Sequence, residues 1–157
     1  MNQKLMEVKI NMATRDRIYY PRKYKQFNQA LTNHEIKTLG LDNLSKLDLF
    51  KLAVAYGLDD PKDFEGAKEG LFLLKDIKST YDQSLFNTVK LGIAEDNDEI
   101  DEYCDLELNY DEAERCASSG FEKLKNLVES NQDEELLIKK MIRELENLYF
   151  TNVKIGG

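Results

Sequence analysis

One stretch limits the fold more than any other. Ser45-Lys46-Leu47-Asp48 resembles a helix capping box, with aspartate in place of the usual Glu or Gln. The helix it opens, Lys46 to Tyr56, is apolar on nearly every side, through Leu47, Leu49, Phe50, Leu52, Ala53, Val54, Ala55 and Tyr56, with Asp48 and Lys51 as interruptions. Gly57 reads as its C-terminal cap, and Pro61 follows. A helix without a polar face must be surrounded. The rest of the chain therefore has to supply a shell of elements around this one. With 157 residues, 41% of them hydrophobic and 33% charged, the chain fits one globular domain, which buries roughly 68–70% of its unfolded surface.

The shell can be read from periodicity. Met6, Val8, Ile10 and Met12 alternate with polar residues, as in a half-buried strand, and Ile18 and Tyr20 continue that theme more weakly. Pro21 suits a first helical position, and Arg22–Leu31 reads as a short helix with Tyr24, Phe27 and Leu31 on one side. Thr32–Asn43 reads as a connector. Phe64–Lys78 is ambiguous between helix and strand; helix is preferred because no partner strand is evident. Ser79-Thr80-Tyr81-Asp82 offers a cap for a helix lined by Leu85, Phe86, Val89 and Ile93. A longer helix starts near Asn109, with Tyr110, Ala113, Ala117, Phe121, Leu124 and Val128 as its stripe. Ser118, Ser119 and Gly120 make that helix slim, which lets a neighbour approach closely. After a break at Asn131, a last helix carries Leu137, Met141, Leu145, Leu148 and Tyr149. The expected fold is mainly α, with five or six packed helices and one or two short N-terminal β-strands. Residues 1–40 form a basic strand and short-helix segment, 41–150 an acidic helical body, and 151–157 a fraying tail.

Charge is unevenly placed along this plan. Residues 1–40 carry eight basic and three acidic side chains, a net +5; residues 41–157 carry 14 and 27, a net −13. Eleven carboxylates and no Lys or Arg fall between Leu91 and Glu114. Asp96, Asp98 and Glu107 match positions 1, 3 and 12 of a calcium loop, but Ile100 and Asp101 stand where a ligand and the turn glycine belong. No metal site is expected. Glu7-Val8-Lys9 matches a three-residue piece of many nucleases, without the aspartate-bearing strand such sites need. His34 is the sole histidine and has no second histidine or nucleophile at a recognisable spacing. Cys104 and Cys116 form no C-x-x-C pair, which suggests free thiols in a reducing cytoplasm. There is no phosphate-binding glycine loop, no apolar run of membrane-spanning length and no leader-like start. The chain is thus expected to be a non-enzymatic protein, with no cofactor and no membrane partner.

The positive lead is the cluster Arg15, Arg17, Arg22, Lys23 and Lys25, interleaved with Tyr19, Tyr20 and Tyr24. Cations neutralise phosphates and aromatic faces stack on bases. Arg15, Arg17, Tyr19, Tyr20, Arg22, Lys23 and Lys25 are therefore the candidate nucleic-acid-binding residues. The alternative is an edge strand protected by its own charges. Over residues 6–57, the order strand, short helix, buried helix also resembles ribbon–helix–helix DNA binders, apart from a long connector and a broken strand. Arg17–Pro21, Leu49–Leu58 and Ala113–Gly120 resemble small helical accessory proteins of prokaryotic DNA-phosphorothioation and phage-defence islands. That resemblance implies nucleic-acid contact and assembly with a larger partner, and it transfers no functional residue. The expected function is an accessory protein that touches nucleic acid through its basic segment and protein partners, or a second copy, through its acidic body. The alternatives are a protein–protein adaptor without nucleic-acid affinity, and an acidic mimic of DNA.

Overall fold

The computed structural model describes residues 15–33, 44–87, 89, 105–130 and 133–154. Within them the protein is mainly helical, with five α-helices and one two-stranded antiparallel sheet. In chain order these are β1 (Arg17–Pro21), a 3-10 turn (Arg22–Tyr24), α1 (Lys25–Thr32), α2 (Lys46–Gly57), β2 (Lys68–Leu73), a second 3-10 turn (Leu74–Asp76), α3 (Thr80–Asn87), α4 (Leu106–Ser130) and α5 (Glu134–Lys154). The expected strand at Met6–Met12, the Glu7-Val8-Lys9 match, His34, Cys104 and most of the acidic tract lie outside the described residues.

Helix α2 is the centre, as its composition requires. Leu49, Phe50, Ala53, Val54, Tyr56 and Gly57 are buried, and Leu47 and Leu52 pack against the core. The Ser45 hydroxyl accepts the Asp48 N–H at 3.1 Å and donates to Asp48 Oδ2 at 2.8 Å. This hydroxyl bond, helped by Lys51, holds the Asp48 carboxyl below its ordinary value. Lys51 also reaches Asp82 at 2.8 Å, tying α2 to α3. Gly57 has a different role from the cap expected of it. It is the last helical residue, and Leu58 follows in right-handed conformation. A Cβ on Gly57 would stand 1.7 Å from the Cys116 carbonyl oxygen, and one on Gly120 would stand 1.7 Å from that of Ala53. Helices α2 and α4 thus touch backbone to backbone, in keeping with the slimness of Ser118-Ser119-Gly120.

The sheet corrects the reading of Phe64–Lys78. Lys68–Leu73 is a strand, and its partner is β1, far away in sequence. Arg17 faces Leu73 and Ile18 faces Phe72; after a register shift between Ile18 and Tyr19, Tyr19 faces Gly70 and Tyr20 faces Glu69. Leu71, at the shift, is buried. Pro21 ends the strand instead of starting a helix, and the Arg22 N–H closes the ladder on the Ala67 carbonyl at 2.8 Å. Gly66 and Gly70, which count against a helix, fit a bend followed by a strand; Gly66 takes φ +80°. Ile18 and Tyr20 turn inward, and the Tyr20 and Tyr24 rings lie 5.7 and 6.1 Å from that of Phe121 on α4. Phe50 meets Phe72 edge-on at 5.6 Å and Phe86 at 5.9 Å, which locks α2 against β2 and α3.

Carboxylates rather than asparagines start the two long helices. Asp105 Oδ1 accepts the N–H groups of Glu107 and Leu108, and Asp133 Oδ1 accepts those of Glu135 and Leu136. An ionised carboxylate satisfies the free amides and also complements the positive end of the helix dipole. The chain from Thr151 to Lys154, expected to fray, continues α5. No helix among the described residues is long and apolar enough to cross a membrane.

Candidate nucleic-acid interface and a polar cavity

The structure separates the seven candidate residues into an inner and an outer group. Arg15 is inner, with its side chain only 12% exposed. Its Nη1 lies 2.8 Å from Glu114, its Nη2 2.6 Å from Asp111 and its Nε 3.3 Å from Glu107, while its guanidinium sits 5.9 Å from the Tyr110 ring centre. Glu114 is itself buried, and its Oε1 also accepts the Tyr19 N–H at 2.8 Å. Burial pushes the Glu114 carboxyl above its ordinary value, against the pull of the Tyr19 amide and Arg15. The cluster fastens the front of β1 to α4. It employs Arg15 internally, and Tyr20, a core residue at 4% exposure, presents no face for base stacking.

The outer group lies along β1 and the first turns after it. Arg17 pairs with Asp16 at 3.2 Å, Arg22 and Lys25 share Glu69 at 3.2 and 2.8 Å, and Lys23 approaches Glu65 at 3.8 Å. Lys25 and Arg22 hold the Glu69 carboxyl below its ordinary value. Such exposed pairs are screened by water and salt, so they do little for stability. Their larger consequence is electrostatic. The five cations expected to face a polyanion stand among six carboxylates of the same chain: Asp16, Glu65, Glu69, Glu107, Asp111 and Glu114. Half-buried Tyr19 remains as an aromatic on this strand.

Sequence reasoning missed the partner of Arg15, although half of the signal was present. Glu107, Asp111 and Glu114 are spaced four and three apart, which puts all three on one helical face. It also missed Asn28. This residue falls among Tyr24, Phe27 and Leu31 on the buried side of α1, and it is 3% exposed. Neither its amide nitrogen nor its amide oxygen makes a hydrogen bond within the protein. Each such orphan costs roughly 1–3 kcal/mol. The Tyr20 phenol, raised mainly by burial, is close enough for Asn28 to oppose that rise, yet the pair does not reach hydrogen-bond geometry. Asn28 borders a cavity of about 460 Å³ between α1, the start of α2 and the sheet, whose described walls include Tyr20, Lys25, Lys46, Leu49, Glu69 and Leu71.

Other chemistry is sparse. Cys116 is fully buried against α2, and burial pushes its thiol up to about 12. No group of histidine, cysteine and carboxylate side chains suited to a metal ion occurs among the described residues. Comparison of the chain with family models, with curated proteins and with solved structures finds no match.

Proposed function

We propose that this chain is a non-enzymatic protein–protein adaptor without nucleic-acid affinity, and that it associates through α5 with a second copy of itself. One observation carries the reading. Leu137 is fully buried and Met141 and Leu145 pack on the core, yet the next residue in each of the first two turns, Ile138 and Ile142, is 42% and 52% exposed. The apolar band of α5 therefore extends beyond the face that the core covers. The charges flanking it favour a second copy in antiparallel orientation. Lys139 lies three residues before Ile142 and Glu146 four after it, so reversing a second α5 about the point between Ile142 and Arg143 sets Lys139 of each copy level with Glu146 of the other.

The balance of charge around β1 supports the same conclusion from the other side. Five cations among six carboxylates produce no net positive field to gather phosphates. Light scattering on the full chain, from low micromolar to several hundred micromolar, tests the association. A dimer is expected, and the Ile138→Lys/Ile142→Lys double variant should be a monomer of unchanged helicity. A wild-type monomer throughout overturns the reading. Anisotropy with labelled DNA and RNA supplies the second arm. No binding is expected at about 50 mM or about 200 mM salt, whereas four working phosphate contacts would give a salt slope of about −3.6.

A further inference from the structure

We propose that a third face of α5, made of Leu136, Lys140 and Arg143, docks an acidic helix of a partner protein, one whose carboxylates flank a single apolar side chain. An adaptor needs a surface for something other than its own copy; the role of this face rests on that reading, while its chemistry does not depend on the dimer. The faces follow from helix geometry. At 3.6 residues per turn, Leu137, Met141 and Leu145 share one side of α5, Ile138 and Ile142 a second, and Leu136, Lys140 and Arg143 a third, the three lying about 120° apart. The core covers the first, and the second is the side through which copies associate. On the third, Leu136 is 59% exposed, and Lys140 and Arg143 are exposed as well.

Charge selects the occupant. Lys139 is engaged by Glu135 at 2.6 Å, whereas Lys140 and Arg143 have no carboxylate partner among the described residues, in a chain of net charge −8. Like charges three residues apart on a helix repel each other, and carboxylates placed against them relieve that repulsion. Leu136, one turn before Lys140, adds an apolar anchor. An apolar side chain set on it excludes water from the ion pairs beside it. The face is also narrow. Glu135 and Glu146 stand on the flank toward Ile142, and half-buried Glu144 on the flank toward the core. A membrane or a nucleic-acid strand, anionic across its whole width, would press on these carboxylates too. A single helix presents a ridge that meets the stripe alone.

The experiment is an NMR titration of the isotope-labelled full chain with a synthetic helical peptide, in which one leucine is flanked on the same face by glutamates a turn away on either side. Control peptides carry glutamine for glutamate, or alanine for leucine. Saturable shifts are expected within 136–143, with a Kd at or below about 1 mM at low salt. Binding should be at least about tenfold weaker for the glutamine peptide and for the Lys140→Gln/Arg143→Gln protein, and weaker also for the alanine peptide. Ile138→Gln/Ile142→Gln, which removes the dimer contact without adding charge, should bind the peptide like wild type. A failed dimer therefore leaves this result standing, and failed docking leaves the light scattering unchanged. The proposal is overturned if the glutamate peptide does not saturate, if the glutamine peptide binds as tightly, or if Lys140→Gln/Arg143→Gln, altered only at exposed positions, binds like wild type. It is overturned equally if vesicles of phosphatidylserine and phosphatidylcholine bind the chain and that double variant abolishes their binding, which would assign the face to a membrane.

Discussion

The contact between α2 and α4 makes a prediction that can be worked from distances. In Gly120→Ala, the new methyl would lie 1.7 Å from the Ala53 carbonyl oxygen, 2.5 Å from its carbon and 2.8 Å from its Cα. All three are backbone atoms of a buried helix, so no side chain can swing aside. Restoring ordinary contact at 3.4 Å moves the two helices about 1.7 Å apart, against a normal axis separation of about 8–10 Å. A gap of 0.5–1 Å already forfeits roughly a quarter to a half of a dispersion well. The layer loosened here holds Phe50, Ala53, Ala117, Phe121 and Leu124, all essentially inaccessible to water. A cost of about 3–4 kcal/mol follows by analogy with overpacked and cavity-forming core changes. The better helix propensity of alanine returns about 1 kcal/mol. The net loss is about 2–3 kcal/mol, or a Tm lower by about 4–12 °C for a chain of this size. Gly57→Ala presses on the same helix pair and should cost a similar amount. Because the first substitution already parts the helices, the double variant should lose less than the sum of the two. Urea unfolding followed by circular dichroism measures all three. A Gly120→Ala protein as stable as wild type, or more stable, would refute the backbone-to-backbone contact and leave propensity as the only effect.

Three further outcomes are expected. Arg15→Met removes a cation that opposes the upward shift of Glu114, so the folded carboxyl holds its proton to higher pH while the unfolded one releases it near 4.5; stability relative to wild type then falls as pH rises above that value, and a pH-independent loss in urea midpoint contradicts the cluster. Ser45→Ala deletes the cap of α2 and should cost about 1 kcal/mol, read as a lower urea midpoint with unchanged slope; no change would mean that the Ser45–Asp48 bonds add nothing. In a Cys104→Ser background, the Cys116 thiol should ignore a disulfide reagent in the native protein and release one equivalent after unfolding, since it is both buried and pushed up to about 12; reaction in the native state would place it at the surface.

Much of the architecture is a local property of the sequence. The all-round apolar run Leu47–Tyr56 demanded a central helix. Hydroxyl side chains at Ser45 and Ser79 announced helix starts, and Ser118-Ser119-Gly120 announced a close neighbour, because each effect acts within a turn or two of chain. Pairing over long separations was decided only in three dimensions. Lys68–Leu73 is a strand because β1 lies beside it, and nothing within that segment names its partner. The same physics changed the meaning of the basic segment. Lys and Arg at positions 15 to 25 are visible at a glance, but whether a cation faces water or a carboxylate depends on which helix folds over it. Here α4 brings Glu107, Asp111 and Glu114 onto Arg15, and β2 brings Glu69 to Arg22 and Lys25. Charge along a chain is additive and can be counted from the residues; the field at a surface depends on distance, and distance between remote residues is set by the fold.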